Sequence, residues 1–166
     1  MEIKIRVAKP SDAKQIVNVS KVGWLSTYVN SDYAITKQDI LARDFRSRIK
    51  KWGDSIRNEK TISHFWVATF KEKVIGYSSA LKGQRFNEIT IYILPQFQSR
   101  GIGTKLIRKA FKWLGSRKKI KIDVVSYNTK AINFYKKEGF IKKGKGKKPL
   151  PTGKALPLTR MIKNKF

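Results

Sequence analysis

A strand, a tight polar loop and a helix follow one another directly in the middle of this chain. Residues 87–94 alternate apolar and other side chains, which predicts a β-strand whose buried face carries Ile89, Ile91 and Ile93. Pro95 ends the strand, and a loop containing Gly101 and Gly103 leads into apolar residues at helical spacing, which are Leu106, Ile107, Ala110, Phe111 and Leu114. The fold must therefore place the start of a helix beside the end of a strand.

Strand and helix patterns alternate through the rest of the chain. We predict strands at 3–7, 64–70, 74–78, 120–125, from 140 onwards and at 155–163. We predict helices from Ser11 or Asp12 to about Gly23, from Thr36 or Lys37 to about Arg57, and at 128–138. The lysine- and glycine-rich run 142–148 is interpreted as a basic loop. This order of elements indicates an α+β or mixed α/β domain around one mostly antiparallel sheet.

Residue content limits the chemistry that is open to the chain. Its 166 residues match the size of one domain, and 40% hydrophobic residues are enough to fill a packed interior. The absence of cysteine excludes disulfides, thiolate metal sites and a cysteine nucleophile. The one histidine, His64, argues against a multi-histidine metal centre, and we expect it to begin a strand rather than to act as a catalytic base. Chemistry without a metal is favoured.

Hydropathy gives no sign of a membrane protein. No apolar run approaches the roughly 18 residues that a membrane span needs. The first ten residues also lack the apolar stretch of a secretion signal. We therefore expect a cytoplasmic protein without a membrane partner.

Net charge is the most unusual feature of the composition. The chain has 38 Lys and Arg residues against 11 Asp and Glu residues, a formal net charge of +27. Such an excess indicates an anionic partner, which could be nucleic acid, a membrane surface or a phosphorylated cofactor, or else simply a lysine-coated surface. Acidic residues cluster in one stretch that is a candidate for recognising a cation, with Asp32, Asp39, Asp44, Asp54 and Glu59.

The glycine-containing loop before the central helix has the chemistry of a phosphate site. Glycines allow a tight turn and a close approach of the backbone, and the first turn of a helix exposes unpaired N–H groups at the positive end of its dipole. Arg100, Lys105 and Arg108 add charge at the same end. The loop lacks both the Rossmann and the P-loop pattern, and a purely structural turn remains an alternative.

A second motif follows about 25 residues later, and the two together resemble the GNAT superfamily of N-acetyltransferases. The motifs are Gln98-x-x-Gly101-x-Gly103 after the strand that ends in Leu94-Pro95, and Asn128-x-x-Ala131-Ile132-x-Phe134-Tyr135-x-x-x-Gly139-Phe140. The resemblance extends more weakly to Ile5-Arg6-x-Ala8-x-x-x-Asp12 and to the hairpin at 65–77. Gly23-Trp24-x-x-Thr27-Tyr28 is loosely similar to polyamine and small-amine acetyltransferases.

The resemblance implies a single domain over 1–166 with a splayed, mostly antiparallel sheet and acetyl-CoA in the cleft between the strands at 89–94 and 120–125. Backbone groups of Ile91 and Ile93 would pair with the pantetheine arm of the cofactor. The pyrophosphate would lie on the loop formed by Gln98, Ser99, Arg100, Gly101, Ile102, Gly103 and Thr104. Asn128 would bind the cofactor arm, and Tyr135 would stand near the thioester sulfur.

Direct transfer needs a proton acceptor and a proton donor. An attacking amine must be neutral, although a lysine-like amine has a pKa of about 10.4. The resemblance points to Glu88 as the base, at the start of the strand that leads to the loop, with a solvated glutamate paired to a lysine as the alternative. Tyr135 can donate to the departing thiolate, and the lack of cysteine favours direct transfer in a ternary complex, with a backbone N–H near Ile93 polarising the carbonyl.

The acceptor is the least constrained part of this hypothesis. Candidates for an aromatic and acidic cradle around an ammonium group are Trp24, Tyr28, Asp32 and Tyr33, together with Asp39, and a satellite core is the alternative. The acceptor would be a small amine, a polyamine or a protein amino group. A rival hypothesis is a basic module on the same fold that binds nucleic acid or a ribosome, with the run 142–148 as a contact. A homodimer formed through the C-terminal strands is also expected.

Overall fold

The computed structural model describes residues 2–58 and 62–164, which form seven strands and five α-helices. The strands are β1 (Lys4–Val7), β2 (Ser63–Phe70), β3 (Lys73–Leu81), β4 (Asn87–Ile93), β5 (Ile120–Val125), β6 (Ile141–Pro149) and β7 (Ala155–Lys163). The α-helices are α1 (Ala13–Tyr28), α2 (Lys37–Leu41), α3 (Arg46–Arg57), α4 (Ile102–Leu114) and α5 (Thr129–Lys137). Of the helices described, none combines the length and the apolar content that a membrane crossing requires.

All seven strands lie in one sheet with the order β1-β2-β3-β4-β5-β7-β6. Every neighbouring pair is antiparallel except β4 and β5, which run parallel. The parallel pair is joined only at Asn87–Ile120 and Glu88–Lys121, after which the two strands separate. The predicted mixed α/β fold with a splayed, mostly antiparallel sheet is confirmed.

Helices cover both faces of the sheet, and β2 shows how the sequence encodes this. Trp66 and Ala68 belong to the core under α4, whereas Phe65 and Val67 belong to the core under α1. Because successive side chains of a strand point to opposite faces, a strand buried on both faces needs a nearly continuous apolar run. The run in β2 meets this requirement.

The first helix is longer than predicted, since α1 continues through Gly23 to Tyr28. A Cβ atom at Gly23 would lie 2.6 Å from Cδ1 of Tyr92 in β4. This glycine therefore allows α1 to approach the ring of Tyr92 closely, and it does not terminate the helix.

The single helix predicted from 36 or 37 to 57 is wrong, because the chain forms α2 and α3 with a break between them. Thr36 and Asp39 form a capping box at the start of α2. Asp44 accepts a hydrogen bond from the Ser47 N–H at 2.9 Å, which caps a new helix. Between them Phe45 turns into the core against Trp24.

The basic run 142–148 is also not a loop, because it lies within strand β6 at the edge of the sheet. Its side chains are mostly exposed, so no hydrophobic alternation marks it as a strand. The backbone pairing comes from β7, whose Leu156 and Met161 are fully buried. The predicted last strand at 155–163 is confirmed, and Gly139, which follows α5, has a left-handed φ of +88°.

Candidate active site

The separation of β4 and β5 opens a cleft of about 1260 Å³ in the middle of the sheet. The start of α4 and α5 line one side, and the end of α1 with the α2–α3 break lines the other. A volume of this size exceeds the ~300–1,000 Å³ of ordinary small-ligand pockets. The cleft therefore has room for a large ligand together with a small one.

The edge of β4 that faces the cleft presents backbone N–H groups. Leu94 donates its N–H to Ile75 on the β3 side, and Asn87 donates its N–H to Lys119 on the opposite side. Because hydrogen-bonding direction alternates along an antiparallel strand, the odd-numbered residues after Asn87 direct their N–H groups away from β3. Beyond the pairs Asn87–Ile120 and Glu88–Lys121 that join β4 to β5, the N–H groups that face the cleft are those of Ile91 and Ile93.

The loop after β4 turns sharply into α4. Ser99 and Gly101 both have a positive φ, 62° and 73°. No atom would lie within 4 Å of a Cβ added at Gly101, so the backbone is open to the cleft at this position. The helix begins at Ile102, and the N–H groups of its first turn have no partner within the helix. This end of α4 meets the chemical requirements of an anion site.

The second glycine of the motif has a different role. A Cβ at Gly103 would lie 3.2 Å from Cζ of Phe134 and 3.6 Å from Cδ1 of Ile93. The missing side chain lets α5 pack closely against the first turn of α4. Of the two glycines, only Gly101 fits the expectation that a ligand approaches the bare backbone.

Side chains of the loop tie it to its neighbours. Gln98 donates from Nε2 to the Ile93 carbonyl at 3.0 Å and accepts from Lys130 Nζ at 2.9 Å. Thr104 donates to Glu138 at 3.0 Å, which links α4 to the end of α5. These hydrogen bonds hold the loop, the end of β4 and α5 in one rigid arrangement. Arg100, whose guanidinium donates to the carbonyl of Gln96 at 3.4 Å, stays exposed.

Asn128 and Tyr135 sit on α5 and line the cleft. Asn128 caps the helix, because its Oδ1 accepts from the Ala131 N–H at 3.1 Å, and its Nδ2 group is the donor that remains for a ligand. Tyr135 packs edge-on against Phe134 and Phe140, with ring centroids 5.1 and 5.6 Å apart. Burial raises the pKa of Tyr135 far above its usual value, and the nearby Tyr92 raises it further. Its hydroxyl is therefore protonated at neutral pH.

Glu88 lies at the fork where β4 and β5 separate. Its neighbour Ile89 is buried under α4, so the side chain of Glu88 extends on the opposite face, which is also the face of Tyr92. Oε1 of Glu88 forms an ion pair with Lys121 Nζ at 2.7 Å. The carboxylate is about half exposed and lines the cleft.

Aromatic side chains form the wall opposite α5. The Tyr28 and Tyr92 hydroxyls are 2.8 Å apart, and Tyr127 donates its hydroxyl to the Tyr28 carbonyl at 2.6 Å. Trp24 meets Tyr28 edge-on at 4.8 Å between ring centroids. Burial raises the pKa of Tyr28 well above its usual value. Trp24 and Tyr28 thus line the cleft and also belong to a core cluster, so the predicted acceptor cradle and the predicted satellite core do not exclude each other for these two residues.

The other predicted acceptor residues lie outside the cleft lining. Asp32 is exposed in a turn, and Tyr33 is half exposed and packs on Tyr127 at 4.7 Å. Asp39 is buried and binds Lys154 at 2.8 Å and Thr152 at 2.6 Å. The expected acidic cradle is therefore not assembled from these residues.

The remaining acids of the stretch are engaged locally. Asp44 caps α3, and Asp54 pairs with Lys50 and Arg57 on the surface of the same helix. Glu59 lies outside the described residues. His64 lies in β2 as predicted, stacked on Trp113 and away from the cleft lining, and burial lowers its pKa.

Several residues of the cleft were not predicted from the sequence. Tyr92 could have been found, because it alternates with Ile91 and Ile93 and therefore faces the other side of β4. Arg43 and Arg48 fall within the segment that was predicted as a single helix, and Lys148 falls within the segment that was predicted as a loop, so none of the three was a candidate for the cleft. Arg43 and Lys148 reach Trp24 through contacts that are distant in sequence, whereas Arg48 lies four residues before Trp52 within α3.

Solved structures with the same fold cover nearly the whole chain. The PaiA N-acetyltransferase from Thermoplasma acidophilum, solved in complex with coenzyme A, is 21% identical with a TM-score of 0.80 over 100% of both chains. YncA from Salmonella typhimurium, solved with its cofactor acetyl-CoA, is 20% identical with a TM-score of 0.72 over 98% of this chain and 93% of that one. At these identities the likeness establishes the fold.

A curated relative matches part of the chain. Thialysine N-epsilon-acetyltransferase from Mus musculus is 32% identical over 71 residues, which are 38% of this chain and 42% of the mouse protein. The match therefore spans less than half of either protein. The model of the acetyltransferase (GNAT) family matches residues 21–140, which include the cleft from α1 to α5. Since this match covers well over half of the sequence, the chain belongs to the GNAT family of acetyltransferases.

Proposed function

We propose that this chain transfers an acetyl group from acetyl-CoA directly to a primary amine. The observation that carries the proposal is the row of backbone N–H groups on β4 that leads to the bare turn at Gly101 and the start of α4. An acyl-CoA has amides along its arm and a diphosphate at its far end, and this row of donors is complementary to both. The coenzyme A and acetyl-CoA complexes of the two structural relatives support the same choice.

The residues of the cleft fit this cofactor. Ile91 and Ile93 would pair with the pantetheine amides, and the backbone from Gln98 to Thr104 would hold the pyrophosphate. Asn128 would donate from its Nδ2 group to the cofactor arm. When bound, acetyl-CoA supplies an activated thioester whose thiolate is a good leaving group. A backbone N–H near Ile93 would polarise the thioester carbonyl, because the N–H groups at this end of β4 face the cleft.

We assign proton removal from the amine to Glu88. Its Oε1 is held by Lys121, which leaves Oε2 to accept a proton from an amine on the Tyr92 side of β4. The ion pair fixes the carboxylate at the fork of the two strands. A carboxylate held in this way is a positioned base, and the proton can leave to solvent because the group is half exposed.

We assign proton donation to the leaving sulfur to Tyr135. Its hydroxyl is protonated and its ring is fixed by Phe134 and Phe140. The amine loses one proton to Glu88 while the sulfur receives one from Tyr135, so the net charge of the site is unchanged during transfer. On the acceptor side, Trp24 and Tyr28 would contact the amine substrate, whereas Asp32 and Tyr33 lie outside the cleft lining.

A thiol assay tests the proposal directly, because the chain contains no cysteine and any thiol that appears is released CoA. We expect acetyl-CoA to bind in a calorimetric titration and an amine to release CoA thiol at a rate above hydrolysis. Glu88→Gln should lower kcat/KM for the amine about 100-fold while the affinity for acetyl-CoA stays unchanged. Glu72→Gln, on the β2–β3 turn, is the matched control and should behave as the native protein. Absence of acetyl-CoA binding at about 1 mM would refute the proposal.

Contact with nucleic acid through β6 is a second candidate function. Lys142, Lys143 and Lys145 are exposed along this edge strand, and the chain has an overall charge of +27. Phosphate backbones bind such surfaces without any sequence-specific motif. This function does not exclude acetyl transfer, because β6 lies on the outer edge of the sheet and the cleft lies at its centre.

A further inference from the structure

Three cations converge on the acceptor side of the cleft. The Arg43 guanidinium lies 3.8 Å above the Trp24 ring centroid, and Lys148 Nζ is 5.4 Å from the same centroid. Arg48 lies 5.8 Å from the ring centroid of Trp52, and all three cations line the cleft. Partial desolvation lowers the pKa of Arg43 and of Lys148. Repulsion by Arg48 lowers the pKa of both further, and repulsion by Arg43 also lowers that of Lys148.

No acid in the chain as described neutralises this cluster. Across residues 2–58 and 62–164, none of the three cations forms an ion pair, although such pairs occur elsewhere in the protein. The two acids that line the cleft are already taken, since Glu88 binds Lys121 at 2.7 Å and Asp123 binds Arg160 at 2.9 Å. The acceptor side therefore carries an uncompensated positive charge.

The orientation of Arg43 suits an anionic ligand. Trp24 covers the face of the guanidinium, so its N–H donors remain along the edge of the plane. Nε of Arg43 is buried and has no hydrogen-bond partner among the described residues. A buried donor without a partner is costly, and a carboxylate is the group that an arginine edge binds in bidentate fashion.

From these contacts we propose that the amine acceptor is a small molecule with an anionic group, such as a carboxylate, which Arg43, Arg48 and Lys148 bind. This inference rests on the proposed acetyl transfer, and it replaces the expectation of a polyamine. A second ammonium group would be repelled by the same three charges. The cluster also helps the chemistry, because nearby cations lower the pKa of the bound amine and favour its neutral, nucleophilic form.

Acceptors of the same chain length that differ only in the charge of their second end group test this inference. We compare 6-aminohexanoate, hexylamine and 1,6-diaminohexane, which end in a negative, a neutral and a positive group, and repeat the set with shorter chains down to two carbons. In the thiol assay we expect kcat/KM to be highest for the amino acid, lower for the alkylamine and lowest for the diamine. The amino acid should exceed the alkylamine at least about tenfold. Titration of the CoA-bound protein with the same compounds should give the same order without any turnover.

Charge-neutral variants identify the residues responsible. Arg43→Gln and Lys148→Gln should each remove most of the preference for the amino acid, about tenfold or more, while the affinity for acetyl-CoA stays unchanged. Arg43→Lys keeps the charge but loses the planar edge, so it should restore the preference only in part. Arg117→Gln removes the same charge from an exposed loop outside the cleft, and it should leave the preference intact.

The outcomes distinguish this inference from the proposed function. Equal or better acetylation of the diamine, or binding without any preference for the carboxylate, overturns the inference and leaves acetyl transfer standing. An effect of Arg117→Gln as large as that of Arg43→Gln also overturns it, because the cause would then be the overall field. Failure to bind acetyl-CoA refutes the proposed function itself.

Discussion

Tyr135 is both a core residue and a residue of the cleft wall. Its ring is buried against Phe134 and Phe140, and the residue is nevertheless part of the cleft lining. Burial raises its pKa, so the phenol keeps its proton across the physiological range. A group in this state can donate a proton but cannot act as a base near neutral pH.

Replacing Tyr135 by phenylalanine removes only the proton donor. We expect Tyr135→Phe to lower kcat about 100-fold because the thiolate then leaves unprotonated. The KM for acetyl-CoA and the thermal unfolding temperature should change little, since the ring contacts are retained. Steady-state kinetics with the thiol assay measure the split, and an unchanged kcat would show that the hydroxyl has no role as an acid.

Asp39 couples stability to pH through partners that are far away in sequence. The hydrogen bond from Lys154 lowers its pKa below the usual value, and the hydrogen bonds from Thr152 and Thr36 lower it further. A carboxylate with a depressed folded-state pKa stabilises the fold above its unfolded-state pKa of about 3.9, and the stabilisation is lost as the pH falls below that value.

The variant Asp39→Asn should therefore unfold at a lower urea concentration than the native protein at pH 7. The difference between the two should shrink as the pH is lowered from 5 to 2, because Asp39 then takes up a proton in the unfolded state of the native protein while the folded state keeps it ionised. Asp54→Asn, which breaks only exposed pairs with Lys50 and Arg57, is the control and should have a much smaller effect at every pH. A constant difference from pH 7 to pH 2 would contradict this account.

At the scale of elements, α1 and β4 cross so closely that only glycine fits at their contact. A Cβ at Gly23 would lie 2.6 Å from Cδ1 of Tyr92, whereas a Cβ at Gly53 in α3 would meet its nearest neighbour, Cβ of Ala13, at 3.7 Å. Both glycines lie within helices, where alanine is favoured over glycine by about 1 kcal/mol. Alanine substitutions at the two positions therefore distinguish the effect of helix propensity on stability from the effect of packing.

Alanine should have opposite effects at the two positions. Gly53→Ala should stabilise the protein by about 0.5–1 kcal/mol through helix propensity alone. Gly23→Ala should destabilise it by about 1–3 kcal/mol, because the Tyr92 ring must move out of a packed position. Chemical denaturation measures both values, and a stabilising Gly23→Ala would show that α1 and β4 do not pack in this way.

The break between α2 and α3 matters for the site as well as for the fold. It turns Phe45 inwards against Trp24. It also places the Arg43 guanidinium over the ring of the same tryptophan. An uninterrupted helix would distribute these residues around its axis at 100° steps. The two capping carboxylates, Asp39 and Asp44, thus shape this wall of the cleft although neither belongs to its lining.

At the scale of the whole molecule, an outer strand of the sheet presents a row of exposed lysines. Lys142, Lys143 and Lys145 project from β6, and lysines on an edge strand oppose its pairing with a second sheet. The homodimer through the C-terminal strands therefore stays a prediction, and we expect it to form only where the lysine charges are screened. Sedimentation should detect it only at high salt, where the repulsion is screened.

Binding of single-stranded RNA should be weak and strongly dependent on salt. We expect affinity to fall by orders of magnitude between about 50 and 200 mM salt if several phosphates are neutralised. Replacing Lys142, Lys143 and Lys145 by glutamine should reduce the slope of binding against salt concentration. Replacing the exposed Lys14, Lys37 and Lys109 removes the same charge elsewhere, and an equal effect would mean that β6 is not the contact.

Most of the fold could be predicted because its elements carry local signals. The alternation at Ile89, Ile91 and Ile93 and the helical spacing after Gly101 depend on neighbours a few residues away, and both predictions are confirmed. Where the predictions are wrong, the deciding contact is remote. Gly23 continues a helix because of Tyr92, and the basic run becomes a strand because β7 supplies its backbone partners.

The amino-acid sequence by itself determined which elements form around the cleft and which motifs border it, since the glycine turn, the helix caps and the apolar periods act within a few residues. Only the tertiary structure decided what the cleft can recognise. Lys154 pairs with Asp39 and Lys121 pairs with Glu88, whereas Arg43 and Lys148 form no ion pair within residues 2–58 and 62–164. Charge pairing depends on distances in space, and those distances are set by the packing of segments that the order of residues does not bring together.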